Sequence, residues 1–226
     1  MNTERFKAEE KEATLYHSKE PGSPLVILNT YDGEGKAVLE AAEKLGKKDF
    51  NLLCVGKLNW DHDMTPWYCP PLSPKEMPCT GGADEYLKLL LDDILPECLK
   101  RVDGTPAHIS IAGYSLAGLF ALYALYQTDV FARAASMSGS LWFPDFQEYV
   151  FSHEMKRKPE KLYLSLGDKE ARTRNQYLRA VQENTERIAE HFREAGIDVT
   201  FEMNPGNHFR DAALRNAKGI LAISYN

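Results

Sequence analysis

Short runs of apolar and β-branched residues recur along the chain, and longer segments with a helical pattern lie between them. Six runs predict buried strands: residues 25–29, 51–55, 108–112, 132–137, 162–166 and 199–203. The segments 36–45, 84–101, 116–126, 174–195 and 211–224 predict helices, and 116–126 is almost wholly apolar. This alternation predicts an α/β fold with a mostly parallel central sheet and helices on both faces. In such sheets the functional site lies at the carboxyl ends of the strands.

Length, charge and cysteine usage narrow the class of protein. The 226 residues fit a single domain spanning 1–226, and the net charge of −6 argues against a nucleic-acid partner, which needs a basic face. No apolar run approaches the roughly 18 residues of a membrane span, and the charged start of the chain has no secretory signal pattern. The four cysteines form no CxxC pair, which favours reduced thiols and a cytoplasmic location.

The strongest chemical signal is the sequence Gly-Tyr-Ser-Leu-Ala-Gly at positions 113–118. It follows a predicted strand and begins the apolar predicted helix, which is the context of a nucleophile elbow, a sharp turn that exposes a serine hydroxyl. The small residues at 113, 117 and 118 permit the tight turn and the close packing of the helix on the sheet. Ser115 is therefore the predicted nucleophile. The alternative is that Ser115 only caps a buried helix.

A serine nucleophile needs a base and an acid. His208 follows the last predicted strand, at the sheet edge where Ser115 is expected, whereas the rival His62 precedes the serine in the chain. Between serine and histidine, the turn Gly-Asp-Lys-Glu at 167–170 offers two carboxylates in the order that this architecture uses. We favour Glu170, because a strand followed by Gly-x-x-acid places the carboxylate one turn beyond the strand end. Asp168 is the alternative acid.

Backbone amides and aromatic loops complete the predicted site. The amide of Leu116 and that of Tyr31, in the loop after the first predicted strand, are expected to bind the developing oxyanion. Loop aromatics at the same edge are candidate substrate-binding residues, although they fit loop packing equally well: Trp60, Trp67, Tyr68 and Trp142. Five prolines between positions 66 and 78 would stiffen a long loop, which we interpret as a rim of the pocket. The chain has no HExxH, GxxxxGK[ST] or GxGxxG motif in a suitable context, so we predict no metal site and no cofactor.

Together these motifs resemble the putative esterase family of the α/β-hydrolase superfamily, which includes esterase D-like and enterochelin-esterase-like serine hydrolases. The resemblance covers positions from about 25 to 223. It rests on the elbow, the acid turn and the stretches at 63–66, 80–84, 138–142 and 206–209. It implies the α/β-hydrolase fold, esterase activity, and Ser115, His208 and Glu170 as the catalytic residues. The chain departs from the family pattern before position 25, where the usual opening strands are expected to be trimmed, and in the loop 29–33, which lacks a histidine-glycine pair.

The predicted function is hydrolysis of a small-molecule carboxylic ester. His208 would take the proton of Ser115 during attack on the carbonyl, and water would then hydrolyse the acyl-enzyme. A thioesterase or an acyltransferase would use the same residues, and a binding protein could keep the fold without turnover. Little chain remains for a separate lid domain after the strand at 132–137, so an open or shallow site is expected.

Overall fold

The computed structural model describes residues 2–46 and 49–225, which are organised around an eight-stranded sheet. The strands are β1 (Thr3–Ala8), β2 (Lys11–Tyr16), β3 (Leu25–Asn29), β4 (Asn51–Gly56), β5 (Tyr68–Cys69), β6 (Cys79–Thr80), β7 (Ile109–Tyr114), β8 (Arg133–Met137), β9 (Lys161–Gly167) and β10 (Asp198–Asn204). The sheet order is β1-β2-β4-β3-β7-β8-β9-β10, and β5 pairs with β6 in a separate antiparallel ribbon. From β4 to β10 the neighbours run parallel, whereas β1 and β2 form an antiparallel edge.

Helices cover both faces of this sheet, which confirms the predicted fold class. They are α1 (Gly35–Lys44), α2 (Trp60–Asp63), α3 (Ala83–Leu89), α4 (Leu95–Leu99), α5 (Leu116–Gln127), α6 (Phe146–Ser152), α7 (Gln176–Arg179), α8 (Val181–Glu194) and α9 (Ala212–Ser224), with a π-helical turn at Leu90–Ile94. Apolar residues of α1 and α9 pack on one face, and those of α3, α5 and α8 pack on the other. The side chains of β3 alternate between the two cores, so every residue of that strand is buried.

The N-terminal segment differs from the sequence-based expectation of trimmed opening strands. Residues Thr3–Ala8 and Lys11–Tyr16 form a hairpin that extends the sheet at the β4 edge. Ala13 and Leu15 point into the core, and their neighbours in the strand are less buried. Glu4 and Lys11 are charged although they lie at half-buried positions of these strands, which masks the period of two in the sequence.

Two predicted helices are interrupted. The segment 84–101 forms α3, the π-helical turn and α4, in which Pro96 occupies the first turn, where a missing N–H is tolerated. The segment 174–195 forms α7 and α8, which meet at Ala180. The Asn175 side chain caps α7 by accepting hydrogen bonds from two backbone amides.

The topology fixes where a site can form. The strand order reverses at β3, which lies between β4 and β7, and ligands of open parallel sheets bind at the carboxyl ends beside such a reversal. Only residues 138–160 connect β8 to β9, and this connection contains the short helix α6 but no separate lid domain. Among the described residues, no helix combines the length and the apolar character needed to cross a membrane.

Candidate active site

Ser115 lies in the sharp turn between β7 and α5. Its φ of 58° and ψ of −124° place a non-glycine residue in a strained region of backbone space. The turn depends on its small neighbours, since a Cβ on Gly113 would lie 2.2 Å from the carbonyl carbon and oxygen of Ala117. A Cβ on Gly118 would lie 2.9 Å from the Cα of Gly139. The local geometry is therefore that of the predicted elbow.

His208 approaches this serine from the loop between β10 and α9. Its Nε2 lies 3.1 Å from the Oγ of Ser115, and its Nδ1 lies 2.8 Å from Oε2 of Glu170. The hydroxyl of Tyr114 donates a hydrogen bond of 2.6 Å to the backbone carbonyl of His208. The structure thus brings the predicted serine, histidine and glutamate into one hydrogen-bonded chain.

Glu170 is nearly inaccessible to solvent, with 4% of its side chain exposed. Its second oxygen, Oε1, accepts hydrogen bonds from the Gly167 N–H at 2.6 Å, from the Ser138 hydroxyl at 2.8 Å and from the Arg215 guanidinium at 2.9 Å. Burial alone raises the pKa of the Glu170 carboxyl, but hydrogen bonds from His208, Gly167 and Ser138, with the charge of His208, lower it below its usual value. The group is therefore held as a carboxylate.

The two candidate acids have different contacts. The side chain of Asp168 accepts a hydrogen bond of 2.7 Å from the backbone N–H of Gly206 and so links the loop after β9 to the loop after β10. Glu170, two residues later, is the carboxylate that contacts the imidazole of His208. The rival histidine, His62, makes its hydrogen bond to the Thr80 hydroxyl.

Sequence reasoning missed two residues beside Glu170. Ser138 follows β8, has a φ of 46°, and belongs to the stretch 138–142, in which the sequence pattern assigns a role only to Trp142. Arg215 lies on α9 with only 1% of its side chain exposed. The available signal was its position on a helix face shared with Gly219 and Ile223, which are buried core positions of α9.

Two cavities meet at Ser115. The front cavity, of about 470 Å³, is bounded by Cys69, Met77, Leu116, Ser140, Trp142 and Leu178. The rear cavity, of about 400 Å³, is bounded by Leu28, Asn29, Tyr31, Glu34, Ala212 and Asn216. Both cavities share Trp60, Ser115, His208 and Phe209. The proline-rich segment contributes Pro70 and Met77 to the lining of the front cavity.

The four predicted aromatic residues have different positions. Trp60 lines both cavities and Trp142 lines the front cavity. Trp67 instead packs among aromatic rings of the protein, and its indole N–H donates to the Pro144 carbonyl at 2.9 Å. Tyr68 is exposed and lines neither cavity.

The two residues predicted to supply oxyanion amides line different cavities. Leu116 follows Ser115 at the start of α5 and borders the front cavity, whereas Tyr31 borders the rear cavity, with its ring 5.2 Å from that of Trp60. Within residues 2–46 and 49–225, His, Cys, Asp and Glu side chains form no group of three or more that could hold a metal ion.

Known proteins share this sequence pattern and this fold. A family model described as putative esterase matches residues 40–212. The uncharacterized protein YbbA of Bacillus subtilis (strain 168) is 25% identical over 138 residues, which cover 60% of this chain and only 55% of that relative.

Solved structures with the same fold cover nearly the whole chain. The siderophore hydrolase EstA from Aspergillus nidulans superposes with a TM-score of 0.74 at 20% identity, over 99% of this chain and 93% of that one. An IroE-like serine hydrolase from Shewanella oneidensis gives a TM-score of 0.78 at 17% identity, over 97% and 78% of the two chains. At these identities the likeness concerns the fold, and the family match extends over most of the sequence. The chain therefore belongs to the putative esterase family, and it shares its fold with these solved hydrolase structures.

Proposed function

We propose that this protein is a serine esterase that hydrolyses a carboxylic ester through Ser115, His208 and Glu170. The observation that carries the proposal is the hydrogen-bonded chain from the Ser115 hydroxyl to His208 at 3.1 Å and from His208 to Glu170 at 2.8 Å. A serine hydroxyl becomes a strong nucleophile only when a positioned base removes its proton, and this arrangement supplies that base. Family membership supports an ester as the bond that is attacked.

The mechanism proceeds in two halves. As the Ser115 Oγ attacks the ester carbonyl, its proton moves to Nε2 of His208, and the carbonyl electrons move to the oxygen. The backbone amides of Leu116 and Tyr31 bind this oxyanion, with about 3 kcal/mol per donor. When the tetrahedral intermediate collapses, the bond to the alcohol breaks and His208 gives its proton to the departing oxygen. Water then attacks the acyl-enzyme by the same route and releases the acid.

The carboxylate of Glu170 orients His208 and takes no proton itself. It accepts from Nδ1 of His208 and therefore leaves Nε2 free to take the serine proton. Its lowered pKa keeps it negatively charged, so it stabilises the imidazolium that forms during each half of the reaction. The contact of Asp168 with Gly206 favours Glu170 over Asp168 for this role.

The two cavities favour an ester with a substantial group on each side of the scissile carbonyl. Such a substrate would occupy the front and rear cavities together, with its carbonyl at Ser115. The rear cavity is lined mostly by apolar surface. We therefore propose an ester that carries apolar or aromatic groups, and the siderophores named for the hydrolase EstA are one candidate class of substrate.

We also propose that the partner is a small molecule and that the protein acts in the cytoplasm. The net charge of −6 disfavours nucleic acid. All four cysteines are free and buried, and thiols persist in a reducing compartment.

Covalent labelling and turnover test the nucleophile. A fluorophosphonate probe should label the wild type at Ser115, and Ser115→Ala should abolish both the label and hydrolysis of a short-chain nitrophenyl ester, with a loss of about 10⁴-fold or more in kcat/KM. Ser140→Ala is the matched control, because its hydroxyl lies 3.4 Å from that of Ser115, and it should still be labelled. Retention of turnover by Ser115→Ala would overturn the proposal.

A substrate panel tests the class of ester. Nitrophenyl acetate, an aryl ester of N-benzoyl-serine and the matching thioester should be compared with and without an added alcohol acceptor. We expect the ester with large groups on both sides to have the highest kcat/KM and water to be the acyl acceptor. Preference for the thioester, or transfer to the alcohol, would point to a thioesterase or an acyltransferase instead.

A further inference from the structure

The guanidinium of Arg215 is buried beneath the catalytic residues. Arg215 is among the largest fully buried side chains of the described residues, although it is charged. Its Nη1 donates to the hydroxyls of Tyr114 at 3.3 Å and Ser138 at 2.9 Å, and to Oε1 of Glu170 at 2.9 Å. Burying a charge is costly unless it is paired and hydrogen-bonded, so this arrangement calls for an explanation.

The second terminal nitrogen of the guanidinium, Nη2, binds the loop between β10 and α9 that carries His208. Nη2 donates to the backbone carbonyls of Pro205 at 3.1 Å and Asn207 at 3.0 Å, immediately before His208. We propose that Arg215 is a positioning residue, which fixes His208 relative to Glu170 and keeps Glu170 ionised in the working pH range. The inference rests on the proposed esterase function.

The geometric part of this role follows from the shape of the side chain. A guanidinium is planar and its donors have a fixed fork, so the loop after β9 and the loop after β10 are held to one rigid group. The guanidinium packs closely against Gly167. A Cβ on Gly167 would lie 2.8 Å from Nη2 of Arg215 and 2.3 Å from the carbonyl oxygen of Gly206. A lysine would keep the charge but would lose the fork.

The electrostatic part follows from the two oxygens of Glu170. Oε1 faces Arg215 and Oε2 faces His208, so the imidazolium formed in catalysis meets an ion pair rather than an uncompensated carboxylate. In the described part of the chain, the other groups that donate hydrogen bonds to Oε1 are uncharged, namely the Ser138 hydroxyl and the Gly167 amide. The Tyr114 hydroxyl bonds Arg215, and burial raises the pKa of this phenol. Without the guanidinium, the Glu170 carboxylate would lose the cation bound to Oε1 and would take up a proton at a higher pH. Because protonated Glu170 no longer stabilises the imidazolium, the acid limb of the kcat/KM profile would move to higher pH.

Two substitutions separate charge from geometry. Arg215→Met removes both, and we expect a fall in kcat of about 30- to 100-fold with little change in KM, together with an acid limb about one pH unit higher. Arg215→Lys keeps the charge, so its acid limb should stay at the wild-type pH while kcat falls about tenfold. Lys218→Met is the matched control. It also removes a cation from α9, but the Lys218 ammonium bonds Glu202 and Asn204 rather than Glu170.

The measurements are kcat and KM for a nitrophenyl ester from pH 5 to 9, the rate of fluorophosphonate labelling, and thermal unfolding. A merely structural role would lower the melting temperature of the Arg215 variants, as for Lys218→Met, without moving the acid limb. If Arg215→Met folds and keeps the wild-type acid limb and kcat, the inference is wrong. If that variant does not fold, a wild-type kcat in Arg215→Lys overturns the geometric part, and a shifted acid limb in Arg215→Lys overturns the electrostatic part. If the wild type itself is not labelled at Ser115, it is the proposed function that fails.

Discussion

Replacing Gly113 by alanine tests the steric basis of the elbow. The added Cβ would lie 2.2 Å from the carbonyl carbon and oxygen of Ala117 and 2.6 Å from its Cβ. Ordinary contacts between such atoms are about 3.5–4.0 Å, so β7 and the start of α5 must separate by more than about 1 Å. The obstructing atoms include backbone, which cannot rotate away as a flexible side chain can.

The expected cost has two components. Overpacking of a well-packed interior costs about 1–3 kcal/mol, and the closeness of this contact places Gly113→Ala at about 2–3 kcal/mol. For a chain of this size, that loss lowers the melting temperature by about 4–12 °C. Ser115 lies between the two elements that must separate, and a displacement of about 1 Å at a catalytic group lowers the rate by about 10²-fold. We therefore expect both stability and kcat/KM to fall.

Gly56→Ala is the matched control for this prediction. Its Cβ would meet the Thr30 hydroxyl at 3.5 Å and the Glu12 carbonyl at 3.9 Å, which are ordinary contacts. The melting temperature from circular dichroism and kcat/KM for a nitrophenyl ester should therefore stay near the wild-type values. The steric reasoning is refuted if Gly113→Ala matches Gly56→Ala in both measurements.

Three further predictions concern the acid, the rim and pH. The Asp168→Asn variant keeps an acceptor for the Gly206 N–H, so its kcat/KM should stay within about threefold of the wild-type value. The Glu170→Gln variant loses the carboxylate that contacts His208, so its kcat/KM should fall at least about 10²-fold. The reverse order of the two effects would make Asp168 the catalytic acid. Phe209 is 86% exposed and lines both cavities, where its ring can contact an aromatic substrate. The Phe209→Ala variant should therefore raise KM for an aromatic ester about threefold to tenfold and leave acetate hydrolysis unchanged. An equal effect on both esters would contradict a role of Phe209 in binding aromatic groups. The lowered pKa of Glu170 contributes stability above its ordinary value of about 4.5, and this contribution is lost as pH falls through the lower folded value. The free energy of unfolding from urea titrations should therefore fall more steeply below about pH 4.5 in the wild type than in Glu170→Gln, and parallel curves would contradict the assignment.

The parts of the fold that the sequence predicts best are those buried on both faces. Each of the six predicted strands is present, with ends within two residues of the predicted ones. A parallel strand between two layers of helices needs apolar residues at nearly every position, which gives a continuous run such as Leu25–Asn29. The hairpin of Thr3–Ala8 and Lys11–Tyr16 lies at an edge of the sheet, where more and less buried positions alternate. Its charged residues obscure the apolar pattern that would predict a strand.

The contacts of the candidate site divide in the same physical way. The turn at Ser115 was predictable because its constraint is local: small residues must follow one another within a few positions. The order of serine, acid and histidine indicated the two partner loops, but spacing alone left both Asp168 and Glu170 open. Their different contacts, with Gly206 and with His208, arise only when β9 and β10 pair in parallel and bring the two loops together.

Arg215 shows why the supporting residues were harder to predict than the reacting ones. Helix α9 carries two cations, Arg215 and Lys218, and a sequence pattern assigns such residues to a solvated face. The Lys218 side chain is 29% exposed, whereas that of Arg215 is 1% exposed. The difference is determined by what lies opposite each one, and for Arg215 this includes Glu170, which is 45 residues away in the chain. A cation can remain inside only because a carboxylate and two carbonyl groups from separate loops converge on it, so its burial is a property of the assembled sheet edge rather than of the helix.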